Sequence, residues 1–375
     1  MSALHQVGHD TENLLAEVEG FAGAIASPVN YSPLEVVVQV ATHQKPGFEM
    51  ILDPQLYFPR SDRGRLREWS YFPEEIDTTD LSSEDWWFGV GRDALAAARK
   101  LGVRGLCSPA PVPNQYSNGY YRSMTSITKR LVAEAGDVAL FQTTLVALRD
   151  LTVRDRAREI ASIVSDSATR DLYLIFMSDA APRQEYVETE ELKGAMLLIS
   201  DLNRAALRVT VGFTGSDAIL WKAAGASNCA TGKFLNLRRF TPGRFEEPNK
   251  GGTLFAYWFE EALLASLRES DLVRVRERAL LSEASLRNPH GQQILQRLDS
   301  EPGKPWVALG WRQYLHWFAD IEKRITGGLD IDGVIANAER NWEALADAKV
   351  FMEEPRNDGR WLRPWRRALA EFNGP

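Results

Sequence analysis

Asp171-Leu172-Tyr173-Leu174-Ile175-Phe176-Met177 is an almost unbroken apolar run, and Arg208-Val209-Thr210-Val211-Gly212-Phe213 is a second. Glu188 to Ala206, between them, reads as a helix. Short continuous apolar runs mark strands buried on both faces, and a helix between two of them is the crossover that parallel neighbours need. This unit decides the fold, because it recurs on both sides.

Upstream, Asp137 to Thr143 reads as a strand followed by the helix Val153 to Ser167, and Val103 to Cys107 as a strand followed by the helix Tyr120 to Ala135. Earlier still, Leu34 to Ala41 and Phe48 to Leu52 read as strands, and Trp86 to Leu101 as a helix stopped by Gly102. Downstream come the helix Ser216 to Ala224 and the strand Ala226 to Thr231, with Phe234 to Phe240 available as an eighth strand. A unit count near eight, with no Gly-rich dinucleotide fingerprint after the first strand, favours an α/β chain of the (β/α)8 TIM-barrel type over an open doubly wound sheet. Residues 1–33 then read as an N-terminal helix (Thr11 to Ala24) and a Pro-punctuated linker (Ser27 to Pro33). Residues 34–250 form the barrel and 251–375 a helical C-terminal extension rich in Trp and Arg. In that extension Thr253 to Arg268, Leu272 to Glu283, Trp311 to Ile325 and Ile331 to Ala348 read as helices, the third with an apolar stripe at i, i+3, i+4, i+7.

Composition narrows the function classes. The 375 residues are 44% hydrophobic and 25% charged, as in ordinary globular proteins. A net charge of −7 argues against a wholly basic nucleic-acid binder while leaving room for a local basic patch. No apolar run is long enough to span a membrane and no secretion signal is visible, so a cytoplasmic protein is expected. The two cysteines, Cys107 and Cys229, form no zinc-binding spacing.

In a parallel barrel the residues that follow strand ends converge on one face, where the site lies. Asp53 and Asp179 are the carboxylates so placed, and with His43 they are the candidate catalytic or cation-binding groups. A pair of such carboxylates suits glycosyl or base transfer, or hydrolysis. Around Val211 to Lys233, glycine and serine loops precede a helix and a strand, a setting suited to an anion. The candidate ligand-binding residues are Gln55, Gln142, Thr214, Gly215, Ser216, Asn228, Thr231, Gly232, Lys233, Arg238 and Arg239, with Arg244 close behind. Gly232-Lys233 does not meet the P-loop spacing.

The expected function is therefore a barrel enzyme acting on a phosphate-bearing or nucleotide-like ligand. A Schiff-base role for Lys233 is a further option. The competing expectation is a non-catalytic barrel that binds nucleic acid or a protein through Arg356, Arg360, Trp361, Arg363, Trp365, Arg366 and Arg367, where arginines and aromatic residues interleave. A last helix burying both tryptophans is the plainer account of that segment.

The stretch Val211 to Gly232, followed by an Arg-rich segment and helices, resembles the closing part of the tRNA-guanine transglycosylase barrels over about a quarter of the chain. The resemblance implies a nucleophilic role for Asp53. The chain departs from that family in lacking a Cys/His zinc cluster and in placing Pro54-Gln55, rather than Ser-Gly, after Asp53.

Overall fold

The computed structural model describes residues 3–9, 11, 14, 17–43, 45–246, 254–354 and 357–374. Eight parallel strands close into a barrel: β1 (Ala3–Gln6), β2 (Phe21–Ala26), β3 (Glu49–Leu52), β4 (Gly105–Cys107), β5 (Ala139–Ala147), β6 (Asp171–Met177), β7 (Arg208–Val211) and β8 (Asn228–Thr231). Closure comes from β8 pairing with β1, Leu4 opposite Ala230 and His5 opposite Thr231, which leaves no open edge. The crossovers carry α1 (Pro33–Thr42), α2 (Glu84–Leu101), α3 (Asn118–Glu134), α4 (Arg154–Val164), α5 (Thr189–Arg204) and α6 (Ala218–Ala223). The chain is a (β/α)8 TIM barrel with C-terminal helices.

Four element readings need correction. Leu34 to Ala41 belongs to α1 and is not a strand. Its β-branched residues favour extended backbone, but Ser32 caps the helix, Glu35 reaches back to the cap N–H, and Pro33 takes the first turn, so the capping box wins. The expected helix Thr11 to Ala24 ends in β2, whose Gly23 lies so close to β3 that a Cβ would meet the Glu49 carbonyl oxygen at 2.3 Å. Residues 12, 13, 15 and 16 of that reading lie outside the described residues. Phe234 to Phe240 holds a short 3-10 turn instead of the eighth strand, because β1 and β2 at the N-terminus complete the barrel. Thr253 to Arg268 contains a hairpin of β9 (Trp258–Glu260) and β10 (Ala265–Leu267), with Thr253 outside the described residues. Glu260 fixes its turn by accepting from Ala262 N and Trp258 Nε1.

The remaining extension is helical: α7 (Glu269–Glu277), α8 (Glu283–Arg287), α9 (Pro289–Ser300), α10 (Val307–Thr326), α11 (Ile331–Asp347) and α12 (Leu362–Asn373). The stripe of α10 (Tyr314, Leu315, Phe318, Ile321) is buried within the barrel's own hydrophobic core. A buried Lys222–Glu322 pair at 3.6 Å ties α6 to α10, and Glu322 also accepts from Cys229 N. In the arginine-rich segment, Trp361 and Trp365 are buried, Trp365 donating to the Tyr186 carbonyl. Arg363 and Arg366 pair with Glu339, Arg367 with Glu371 and Arg360 with Asp358, while Arg356 lies outside the described residues. Among the described residues no helix is long and apolar enough to cross a membrane.

Candidate ligand site

The centre of the barrel's C-terminal face is closed by aromatic rings. Tyr57 meets Phe240 and Phe245 edge-on at 5.0 and 5.6 Å, and Phe213 meets Phe240 at 5.1 Å. Asp53 belongs to this cluster and is 2% exposed. It accepts from Tyr57 Oη at 2.8 Å and Gln55 N at 3.0 Å. Burial pushes its carboxyl up to about 6, against the opposing pull of Tyr57, Gln55 and the Arg244 charge. Arg244, itself lowered to about 10 by burial, donates to Ser27 Oγ. Gln55 (φ 56°) and Phe213 (φ 55°) hold left-handed backbone here, a strain that the packing of the mouth maintains. This centre is polar, buried and covered.

An open cleft lies to one side, between the loops after β6, β7 and β8 and the β9–β10 hairpin. It has two neighbouring chambers that share part of their walls. The inner one, about 70 Å³, is walled by Glu185, Ser216, Arg238, Arg239, Tyr314 and Trp361. The outer one, about 640 Å³, is walled by Lys233, Phe234, Phe255, Tyr257 and Trp311. Arg183, Arg238, Tyr257 and Glu354 border both.

Two buried arginines dominate the inner chamber. The Arg238 guanidinium lies 3.2 Å from the Tyr314 ring centre and donates to the carbonyls of Gly232 and Lys233. Its pKa is lowered to about 10 by burial, so it stays charged at neutral pH. Arg239 stacks on Tyr186 at 3.8 Å and donates from Nη2 to Glu185 at 3.3 Å. Its Nε and Nη1 are buried and make no hydrogen bond among the described residues. Ser216 Oγ donates to the other Glu185 oxygen at 2.9 Å. Beneath Arg239, Asp217 accepts from Gly215 N, and burial pushes it up to about 6 although the Arg239 charge opposes this. Across the two chambers, Arg183, Lys233, Arg238 and Arg239 face the carboxylates of Glu185 and Glu354, and Glu354 is already paired with Arg268 at 2.8 Å. The cleft is therefore cationic, in a chain that is acidic overall.

The expected residues separate into groups. Gly215, Ser216, Lys233, Arg238 and Arg239 wall the cleft. Thr231 and Gly232 stand behind it, Thr231 bonded to Tyr314 Oη and Gly232 to Arg238. Thr214 is spent on the Ala230 carbonyl, and Gln55 accepts from Ser27 and Val29 beneath the aromatic cover.

Three placements need correction. His43 caps α1, before β3 begins, so it lies at the opposite end of the strand from Asp53. Asn228 is the first residue of β8 and likewise sits at the N-terminal end. Gln142 points outward, donating to Thr125 of α3 and the Val164 carbonyl of α4, because β5 runs on to Ala147. Asp179 is exposed in a neighbouring rim cleft of about 700 Å³, so Asp53 and Asp179 occupy unlike settings. Sequence reading missed Arg183, Glu185, Tyr257 and Glu354, which come from loops and the hairpin and carry no spacing signal.

No family model matches the sequence, and no curated protein matches it either. Among solved structures the chain is similar to a Coccidioides immitis protein provisionally assigned as a deoxyribose-phosphate aldolase, at 15% identity and a TM-score of 0.38, over 61% of this chain and 79% of that one. It is also similar to an L-ribulose 3-epimerase, at 11% identity and a TM-score of 0.34, over 81% of this chain and 99% of that one. A thermostable mutant of a Cellvibrio japonicus xylanase gives 10% identity and a TM-score of 0.37, over 61% and 85%. These likenesses say nothing of chemistry.

Proposed function

We propose that the chain is a barrel enzyme that binds a phosphate-bearing ligand in the cleft between its late loops and the β9–β10 hairpin. Glu185 is then the carboxylate beside the bound group. Arg239 carries this reading, since its buried Nε and Nη1 have no acceptor among the described residues. A buried donor left unpaired costs about 1–3 kcal/mol, more when charged. The oxygens of an anion would satisfy both groups with charge-assisted bonds. Arg238 is preset for the same task, being locked by two carbonyls and the Tyr314 ring before any ligand arrives.

The acid or base work of hydrolysis or glycosyl transfer falls in this reading to Glu185, which walls the chamber, instead of Asp53, which aromatic rings cover. The test is calorimetric titration with inorganic phosphate. The wild-type chain should bind it, and Arg239→Gln should weaken binding about 10- to 100-fold, the worth of a charged hydrogen bond. An absence of phosphate binding in the wild type rejects the anion site. Once a phosphorylated substrate has been found by screening, unchanged turnover in Glu185→Gln rejects the catalytic assignment.

A further inference from the structure

The outer chamber does not look like the entrance to a site for a bare anion. Phe234 and Trp311 meet edge-on at 5.4 Å, and the Lys233 ammonium lies 4.8 and 4.3 Å from their ring centres. On the facing wall the Arg268 guanidinium covers one side of Phe255 at 4.4 Å, and Arg183 stands 5.9 Å from Tyr257. Phe255 is nevertheless 41% exposed and its neighbour Leu254 56%, and among the described residues Phe351 is the other exposed large aromatic side chain. Partly open rings with cations beside them, grouped around one cavity, are what a planar ring with polar edges stacks against. A sugar phosphate without a ring system would leave these faces wet.

The two chambers differ in size in the matching way. The inner one holds a group of about phosphate size, since one water needs about 10–15 Å³ of such space. The outer one, nearly ten times larger, admits a sugar and a bicyclic base. Arg238 forms part of both walls, so a ligand with a group in each chamber would lie against it.

We infer that the ligand is a phosphate monoester of an aromatic, nucleoside-like group, its phosphate on Arg239 in the inner chamber and its ring among Trp311, Phe234 and Phe255 in the outer one. This rests on the reading of the inner chamber as an anion site. The experiment is calorimetric titration of the full chain with inorganic phosphate, ribose 5-phosphate and adenosine 5′-monophosphate, with the total tryptophan fluorescence of the wild type and of Trp311→Leu followed in parallel, since the chain holds eleven tryptophans.

Adenosine 5′-monophosphate should bind at least about tenfold more tightly than ribose 5-phosphate, as expected for one stacked base, and should quench tryptophan emission. Trp311→Leu should bring its affinity down to that of ribose 5-phosphate, and Phe234→Leu should reduce it in the same direction. Thermal melting of each variant checks that the fold is kept. Equal affinity for all three probes, or a nucleotide preference indifferent to both substitutions, overturns the ring subsite and leaves the anion site standing. Failure of all three to bind overturns both.

Discussion

Asp53, Asp217 and His5 set opposite pH dependences from three places in the barrel. Burial pushes both carboxyls up to about 6 in the folded chain, whereas unfolded they titrate at about 3.9. Below about pH 4 both states hold the proton. Between about 4 and 6 only the unfolded chain gives it up, so the stability these groups contribute is complete at low pH and lost as pH rises through about 6. His5 runs the other way. Burial and the Lys233 charge lower it to about 3, so its contribution is present above the ordinary histidine value and lost as pH falls. We expect Asp53→Asn or Asp217→Asn to flatten the loss between pH 4.5 and 7.5 by on the order of 2 kcal/mol each, read from urea unfolding at the two pH values. Profiles identical to wild type would show that both carboxyls titrate normally. Tyr57→Phe should move the Asp53 titration further up in a carboxyl NMR experiment, because the Tyr57 hydroxyl bonds to the ionised form.

Among the elements, α1 shows how local signals compete. Leu-Glu-Val-Val-Val-Gln-Val reads as strand by β-branching, yet Ser32, Pro33 and Glu35 form a complete helix start. The cap was legible in the sequence and carried the better information, since it supplies the first turn with partners for its free N–H groups. Ser32→Ala should cost about 1 kcal/mol in urea unfolding. Val38, 61% exposed on the same helix, should accept Lys within about 0.5 kcal/mol, whereas Val36→Lys on the buried face should unfold or severely destabilise the chain. The reverse failure concerns β1 and β2. Ala-Leu-His-Gln and Phe-Ala-Gly-Ala-Ile-Ala are short and poor in β-branched residues, and their extended form comes from pairing with β8 and β3. At the other end of the chain, Trp365→Ala in α12 should cost about 3–5 kcal/mol, and Arg367→Ala less than about 1 kcal/mol, because only the first side chain is buried. Equal effects from these two would contradict the packing of α12.

At the scale of the molecule, the buried side chains form two clusters, and the division between them does not follow the chain. One joins β6, β7 and α4–α6 to the extension through Trp221, Trp258, Tyr314, Trp317 and Trp365. The other fills the side built on β2–β4 and the aromatic cover of the mouth. The extension therefore shares its core with half of the barrel, and we expect calorimetry to give one unfolding transition whose measured enthalpy equals the van't Hoff value. Two separated transitions would show that the extension melts by itself. Much of this architecture is periodic, so the sequence alone determined it. The apolar runs of β3–β8 and the helices between them specify parallel pairing wherever they fold, because their backbone and side chains can be satisfied in no other common way. The helices α10 and α11 and the cationic Lys233–Arg239 segment were legible for the same reason, each being local in the chain. What only the tertiary structure decided was which groups meet. Asp53 lies under rings from Phe213, Phe240 and Phe245, far along the chain. Arg239 finds Glu185 and a wall built by Tyr314 and Trp361. Exposure, charge balance and an unmet hydrogen bond depend on side chains far apart in the chain, Arg239 and Glu185 by 54 residues and Asp53 and the rings of Phe213, Phe240 and Phe245 by more, and no spacing along the chain encodes them.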